Sequence, residues 1–124
     1  MIDQMLGVRM WIADFCVANL IGEEQAMLVS SEITRVLEMT PIEHTHTWRY
    51  PINDYKGGEG FTYAQPITES MVLVDSYTHI PAAYIIVRSC KPFDAQKVAE
   101  LLEGMGLDVT SSEAHDLGLA QTVA

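Results

Sequence analysis

The chain has 124 residues, a length that suits one domain with a core of its own. Hydrophobic residues make up 48% and charged residues 19%, a composition of folded proteins that excludes a disordered chain. The formal net charge of −10 disfavours nucleic acids and anionic nucleotides as ligands, whereas a neutral or cationic small molecule is compatible with it.

The N-terminal segment is apolar, but Asp3, Arg9 and Asp14 interrupt it. It therefore lacks an uninterrupted membrane span and the basic start of a secretory signal, and we expect a cytoplasmic protein. Residues 8–19 are rich in aromatic and β-branched residues and predict the first strand.

Apolar residues at helical spacing, with acids in the first turn, predict a helix over residues 23–39 that Pro41 ends. A second helix is predicted over residues 95–105, with Asp94 as its N-cap. The other predicted elements are a strand in "IEHTHTWRYPI" (42–52), a loop at 52–60, a strand over 61–77, a strand at 82–90 and a short strand at 107–111. Within 61–77, Pro66 lacks a ladder donor and predicts a bend, an edge position, a bulge or a break.

This order of elements predicts an α+β fold, a ferredoxin-like two-layer sandwich whose mainly antiparallel sheet carries two helices on one face. We expect one domain over residues 1–111 and a polar C-terminal tail over 112–124. The strands "MVLVD" and "AAYIIV" are apolar on both faces, so something must also cover the second face. A second copy of the chain is the simplest cover, which predicts a homo-oligomer.

Two motifs predict little chemistry. The glycine-rich "KGGEG" (56–60) has no Lys-Ser or Lys-Thr after its last glycine, so it is not a phosphate loop. It is interpreted as a flexible turn or, alternatively, as a mobile lid. His44 and His46 lie two residues apart, but two ligands do not make a metal site, and none is predicted.

The two cysteines, Cys16 and Cys90, are interpreted as reduced, buried thiols. Arg88 lies two residues before Cys90, but the sequence implies no histidine beside this thiol. A nucleophilic cysteine needs a nearby base, so Cys90 is interpreted as inert.

Glu69 and Ser70 form the most informative pair in the sequence. In a regular strand Glu69 shares a face with Met71, and Ser70 shares the other face with Val72. A carboxylate among apolar side chains needs a partner. It is either solvated at the strand end, paired with a cation such as Arg88 or Lys97, or matched by a positively charged ligand.

At these residues the chain resembles the phage-encoded S-adenosylmethionine lyases. The likeness covers residues 57–110 and includes "GFTYAQ", "ITES" and "YIIVRSCKPFDAQKVAELLEGMGLDV". The resemblance implies cleavage of S-adenosylmethionine to methylthioadenosine and homoserine lactone. It also implies a homo-oligomer, expected to be a trimer, with sites between subunits, acting in the host cytoplasm against restriction-modification.

A second resemblance is to the pyruvoyl-dependent S-adenosylmethionine decarboxylases. In that family a Glu-Ser bond cleaves itself and the serine becomes the pyruvoyl cofactor, which here corresponds to Glu69-Ser70. Cys90 stands at the spacing of the family's catalytic cysteine. Met71 and Asp75 stand where the family has histidines, and Thr62 replaces a serine.

For the lyase reaction the substrate's own carboxylate displaces its activated sulfonium, so neither a metal nor a cofactor is required. We expect Glu69 and Tyr63 to be the catalytic residues, with Glu69 anchoring the cationic end of the substrate and Tyr63, together with Gln65, bound to its amino-acid end or ribose. Phe61 is expected to stack on adenine, and Thr62 and Ser70 to support the site. A regulatory module that binds a small molecule without chemistry is the alternative outside the enzymes.

Overall fold

The computed structural model describes residues 9–52 and 58–117. The predicted tail beyond Leu117 and most of the predicted loop at 52–60, including the start of "KGGEG", lie outside the described residues. The elements, in chain order, are β1 (Met10–Val17), α1 (Glu23–Val36), β2 (His46–Pro51), β3 (Glu59–Ile67), β4 (Ser70–Tyr77), β5 (Ala83–Ser89), α2 (Ala95–Gly104) and β6 (Val109–Leu117).

The strands form a single sheet in the order β2-β3-β4-β5-β1-β6, and every neighbouring pair is antiparallel. Both helices pack on the same face of this sheet, where α1 contacts β3 and β4 and α2 contacts β6. The predicted fold, an α+β two-layer sandwich with two helices on one face, is confirmed.

The core lies between the helices and the sheet and follows from strand alternation. On each central strand every second side chain points to the helices, and on the helices the apolar stripe points back. The fully buried side chains include Ala13, Val17, Ala26, Val29, Ile33, Val72, Val74, Ile85, Val87, Val98 and Leu102.

Both predicted helices are confirmed, and each has a defined end. The Asp94 carboxylate accepts a hydrogen bond from the Gln96 backbone N–H at 3.0 Å, which caps α2 as predicted. After α1, Glu38 adopts a left-handed conformation (φ 55°) and the Met39 N–H bonds the Thr34 carbonyl at 2.8 Å. After α2, Gly106 also adopts a left-handed conformation (φ 85°), which glycine adopts without strain.

The predicted bent strand over 61–77 is wrong, because these residues form the hairpin of β3 and β4. Ile67 pairs with Ser70, and Thr68 and Glu69 make the turn between them. Pro66 stays inside β3 because the first residue of β2, His46, pairs with Ala64 and the β2–β3 ladder does not reach Pro66. The missing N–H of Pro66 therefore removes no hydrogen bond from that ladder.

The last strand is longer than predicted. It begins at Val109 and pairs with β1 as far as Leu117, so residues 112–117 belong to the sheet, although they were expected in the polar tail.

The expectation of buried cysteines also fails, since Cys90 is exposed after β5 and Cys16 is only half-buried. Within the described residues no helix is long and apolar enough to cross a membrane.

The sheet face opposite the helices, called the open face below, is covered by no other element of the described chain. Strand alternation and register place apolar, aromatic and charged side chains there. They include Ile12, Asp14, Cys16, Thr62, Ala64, Met71, Leu73, Asp75, Tyr84, Ile86 and Arg88.

Candidate functional site

Glu69 lies in the β3–β4 turn at one end of the sheet, where the chain that follows α1 contacts the hairpin. The Thr40 N–H donates to the Glu69 carboxylate at 3.2 Å, and the Thr68 N–H donates to the Thr40 carbonyl at 2.9 Å. Pro41 forms an isolated antiparallel bridge with Ile67. The turn is therefore fastened to the segment after the helix, and the carboxylate has a defined position.

The charge of this carboxylate is set by opposing effects. Burial raises the pKa of Glu69, but hydrogen bonds from the Thr40 N–H, the Thr68 side chain and its own N–H, with the positive charge of Lys91, lower it more. The net shift is downward, so Glu69 is ionised at neutral pH. The site therefore presents a half-buried negative charge.

The residues after β5 complete this end of the sheet. The Cys90 N–H donates to the Glu69 carbonyl at 3.0 Å, and the buried Ser89 pairs with Ser70 across the β4–β5 ladder. The Ser89 hydroxyl donates to the Lys91 carbonyl at 2.7 Å and accepts from the Lys91 N–H at 2.9 Å. The Lys91 ammonium donates to the Glu38 carbonyl at 3.1 Å. This end of the sheet thus carries one anion, one cation, two hydroxyls and one exposed thiol, from Glu69, Lys91, Ser70, Ser89 and Cys90.

Lys91 and Thr40 were not predicted as site residues. Lys91 is the cation beside Glu69, where the sequence suggested Arg88 or Lys97; Arg88 lies on the open face, opposite Met71. The position of Lys91 directly after Cys90 was the available signal. Nothing local pointed to Thr40, because its contact with Glu69 spans 29 residues.

Three of the predicted site residues point into the core from β3. Phe61, Tyr63 and Gln65 are only 6%, 4% and 9% exposed. The Arg49 guanidinium lies 5.8 Å from the centre of the Phe61 ring. The Gln65 amide nitrogen donates to the Ile42 carbonyl at 3.0 Å and to the Pro66 carbonyl at 2.7 Å. These side chains belong to the buried interior and do not line the end of the sheet at Glu69.

The remaining predicted residues divide between two faces. Ser70 opens β4 on the face that the helices cover, as the alternation with Val72 predicted. Thr62 lies on the open face, where its hydroxyl donates to the Asp75 carboxylate at 2.7 Å. The structure thus brings Glu69 and Ser70 together and separates Thr62 from them.

The histidine motif does not form a strand face. His44 precedes β2 with a left-handed backbone (φ 73°), whereas His46 is the first residue of β2. Among residues 9–52 and 58–117 no group of three or more His, Cys, Asp or Glu side chains is placed to hold a metal ion.

Comparison with known proteins finds a solved structure of similar fold. No protein-family model matches the sequence, and no curated protein sequence matches it. Among solved structures the chain is similar to the adenosylmethionine decarboxylase from Aquifex aeolicus VF5, with a TM-score of 0.61 and 11% sequence identity. The match covers 94% of this chain and 96% of that chain.

The chain therefore has an adenosylmethionine decarboxylase-like fold. At this identity the likeness establishes the fold and leaves the activity open, since one fold hosts many reactions. It supports the resemblance to the decarboxylases and gives no support to the resemblance to the phage lyases.

Proposed function

We propose that the protein is an S-adenosylmethionine lyase whose site lies at the end of the sheet where Glu69 connects β3 to β4. The observation that carries this proposal is the ionised, half-buried Glu69 carboxylate beside Lys91. S-adenosylmethionine is a sulfonium with an ammonium and a carboxylate at its amino-acid end. An anion held by the Thr40 N–H, in the field of a lysine whose ammonium is held by the Glu38 carbonyl, matches that zwitterionic end, and the fold is that of a protein named for the same substrate.

The proposed reaction is intramolecular. A substrate carboxylate oxygen attacks the γ-carbon, the C–O bond of a five-membered lactone forms, and the C–S bond breaks with its electron pair passing to sulfur. The products are neutral methylthioadenosine and homoserine lactone, which keeps the ammonium. The protein supplies no nucleophile, and it contributes by holding a folded substrate with the reacting atoms in line.

Glu69 is assigned to the ammonium and not to the sulfonium. The sulfonium charge disappears as the bond breaks, so a carboxylate held against it would stabilise the ground state more than the transition state. The ammonium keeps its charge throughout. Ser70 supports the edge beside Glu69, and a role for Tyr63 and Gln65 at the ribose or amino-acid end stays a prediction.

The test is methylthioadenosine release by the wild type and by Glu69→Gln. Because the ammonium keeps its charge, loss of the charge pair is expected to raise KM and to lower methylthioadenosine release tenfold or more at substrate concentrations below KM, which corresponds to about 1.4 kcal/mol. That is well below the roughly 4 kcal/mol of a pair at ~4 Å in an effective dielectric near 20. Glu103→Gln removes an exposed carboxylate at the end of α2 and serves as the control. Equal turnover of all three proteins would remove Glu69 from the site.

A decarboxylase is the second candidate, favoured by the structural similarity. Its pyruvoyl group would arise from Ser70 by cleavage of the Glu69–Ser70 bond. The residues present do not fit that processing, because Met71 has no ionisable group and Asp75 lies on the open face, hydrogen-bonded by Thr62. Two chain fragments in an intact-mass spectrum and released carbon dioxide would establish it; one intact chain and methylthioadenosine support the lyase.

A regulatory binding module would return S-adenosylmethionine unchanged after incubation. The chromatogram of nucleoside products therefore separates this third possibility from both enzymes.

We propose further that the open face is buried against other copies of the chain, giving a homo-oligomer, a trimer in the lyase interpretation, with sites between subunits. Trp48 and Tyr84 on this face are 51% and 45% exposed, and Ile12, Leu73 and Ile86 on the same face are half-buried. Apolar surface of this kind is characteristic of interfaces. Residence in the cytoplasm of a phage-infected host and a role against restriction follow from the lyase interpretation alone.

A further inference from the structure

A cavity lies at the same end of the sheet as Glu69 and Ser70, two strands away from them. It has a volume of about 210 Å³ and opens between β1, β6 and the segment that precedes α2. The residues that line it are Trp11, Ile12, Phe93, Ala114, His115 and Asp116.

Strand register connects this cavity to the proposed site. Trp11 pairs with Asp116 on one side and with Ser89 on the other, and Ser89 pairs with Ser70. The four residues form one row on the sheet face that carries the helices. At a strand spacing of 4.7–4.9 Å, Trp11 lies about 10 Å from Ser70. A nucleoside with an amino-acid arm is long enough for this distance when it passes over the Lys91 backbone that is hydrogen-bonded to the buried Ser89.

The lining suits a flat, uncharged ring that carries a hydrogen-bond donor. Trp11 and Phe93 are half-buried aromatic side chains, so ring surface remains for stacking. The Asp116 carboxylate is 46% exposed and lies 3.6 Å from the Arg9 guanidinium, which leaves acceptor positions open. An apolar cavity of about 150 Å³ takes up a benzene ring, so the larger volume here has room for a two-ring base.

We propose that this cavity binds the adenine ring of S-adenosylmethionine, stacked between Trp11 and Phe93 with its exocyclic amino group donating to Asp116. The inference rests on the proposed function and replaces the expected stacking on Phe61, whose ring is buried beneath Arg49. It makes Asp116 the residue that distinguishes an amino purine from an oxo purine, because an oxo group cannot donate to a carboxylate.

The experiment uses the intrinsic fluorescence of Trp11. The sequence has two tryptophans, so Trp48→Phe leaves Trp11 as the sole reporter, and Trp11→Phe leaves Trp48 as its matched control. Adenosine, which lacks the sulfonium and the amino-acid arm, is the ligand. Saturable quenching is expected in the Trp11 reporter and not in the Trp48 reporter. No response of Trp11, or an equal response of both reporters, overturns the inference.

Two further variants, made in the Trp11 reporter, test the chemistry. Phe93→Leu keeps an apolar side chain but loses the stacking surface, and it should raise the dissociation constant for adenosine about tenfold. Asp116→Asn should abolish the preference for adenosine over inosine, and circular dichroism verifies that both variants are folded. Inosine binding as tightly as adenosine to the Trp11 reporter itself contradicts the role of Asp116.

The outcome is separable from that of the proposed function. Adenosine binding without cleavage of S-adenosylmethionine keeps the base site and removes the lyase. Cleavage without any change at Trp11 keeps the lyase and removes the base site.

Discussion

Glu69 shows how a single side chain acquires its properties from residues distant in sequence. Its carboxylate accepts from Thr40, 29 positions earlier, and is attracted by Lys91, 22 positions later. Both contacts favour the ionised form, against the burial that opposes it. A fixed, ionised carboxylate is what an ammonium ligand requires, because neither partner must reorganise when they meet.

The lowered pKa of Glu69 also predicts how stability depends on pH. The folded pKa lies below the unfolded value, so the contribution of Glu69 is fully present above the unfolded pKa and is lost as the pH falls through the folded pKa. The free energy of unfolding of the wild type should therefore exceed that of Glu69→Gln at pH 7. The difference should shrink as the pH falls below about 4.5, the ordinary glutamate value, and disappear once the pH lies below the lowered pKa of Glu69.

Urea titrations of both proteins between pH 3 and 7 measure this difference. Glu103→Gln corrects for the general effect of removing one negative charge from an acidic protein. A difference that stays constant across the whole range would mean that the folded state does not favour the ionised form of Glu69.

At the scale of elements, the packing of α1 on the sheet determines which buried hydroxyl groups find a hydrogen-bond partner. Ser30 on α1 and Ser76 on β4 are both fully buried. The Ser76 hydroxyl donates to the Ile21 carbonyl at 2.6 Å, while the Ser30 hydroxyl has no hydrogen-bond partner among the described residues. Two serines of equal burial thus differ in whether their desolvation is compensated.

Substitution of each serine by alanine should therefore have opposite effects. Ser30→Ala removes an uncompensated hydroxyl and introduces a better helix former, so it should raise the free energy of unfolding by about 1 kcal/mol. Ser76→Ala leaves the buried Ile21 carbonyl without its donor and should lower it by about 1–2 kcal/mol. Chemical denaturation with an unchanged m-value measures both. Destabilisation by Ser30→Ala would show that this hydroxyl is bonded after all.

At the scale of the whole molecule, the two faces of the sheet differ in how they are covered. The helices bury one face, and the open face carries Ile86 at its centre with Leu73 directly opposite on the neighbouring strand. Asp14 on the same face pairs with Glu113, so like charges border the apolar centre. With a net charge of −10 per chain, association through this face must overcome repulsion, and screening by salt should favour it.

The oligomer proposal is tested by Ile86→Lys, which puts a charge at the centre of the open face. Sedimentation should show a mass of several chains for the wild type, more fully at 0.5 M than at 0.05 M salt, and one chain for the variant with an unchanged circular dichroism spectrum. Leu28→Lys is the control, because Leu28 is 55% exposed on α1, away from that face. A wild type that sediments as a monomer at both salt concentrations contradicts the proposal.

Local features of the sequence were sufficient for the helices and for the layers. Residues 23–36 carry acids in the first turn and an apolar stripe, and Asp94 stands directly before the second helix. These signals act within one or two turns, where physical chemistry is nearly independent of the rest of the chain. Apolar runs on both faces of β4 and β5 likewise indicated a sheet with a second surface to bury.

The sequence by itself thus determined two helices and a largely antiparallel sheet, and it singled out the Glu69-Ser70 pair as a candidate site. Only the tertiary structure decided that Glu69 turns a hairpin, that Lys91 stands beside it and that Trp11 lies in the same row as Ser70. The reason is that register between strands depends on packing and hydrogen bonds between segments far apart in the chain. Periodicity within one segment carries no information about which residue of another segment it faces.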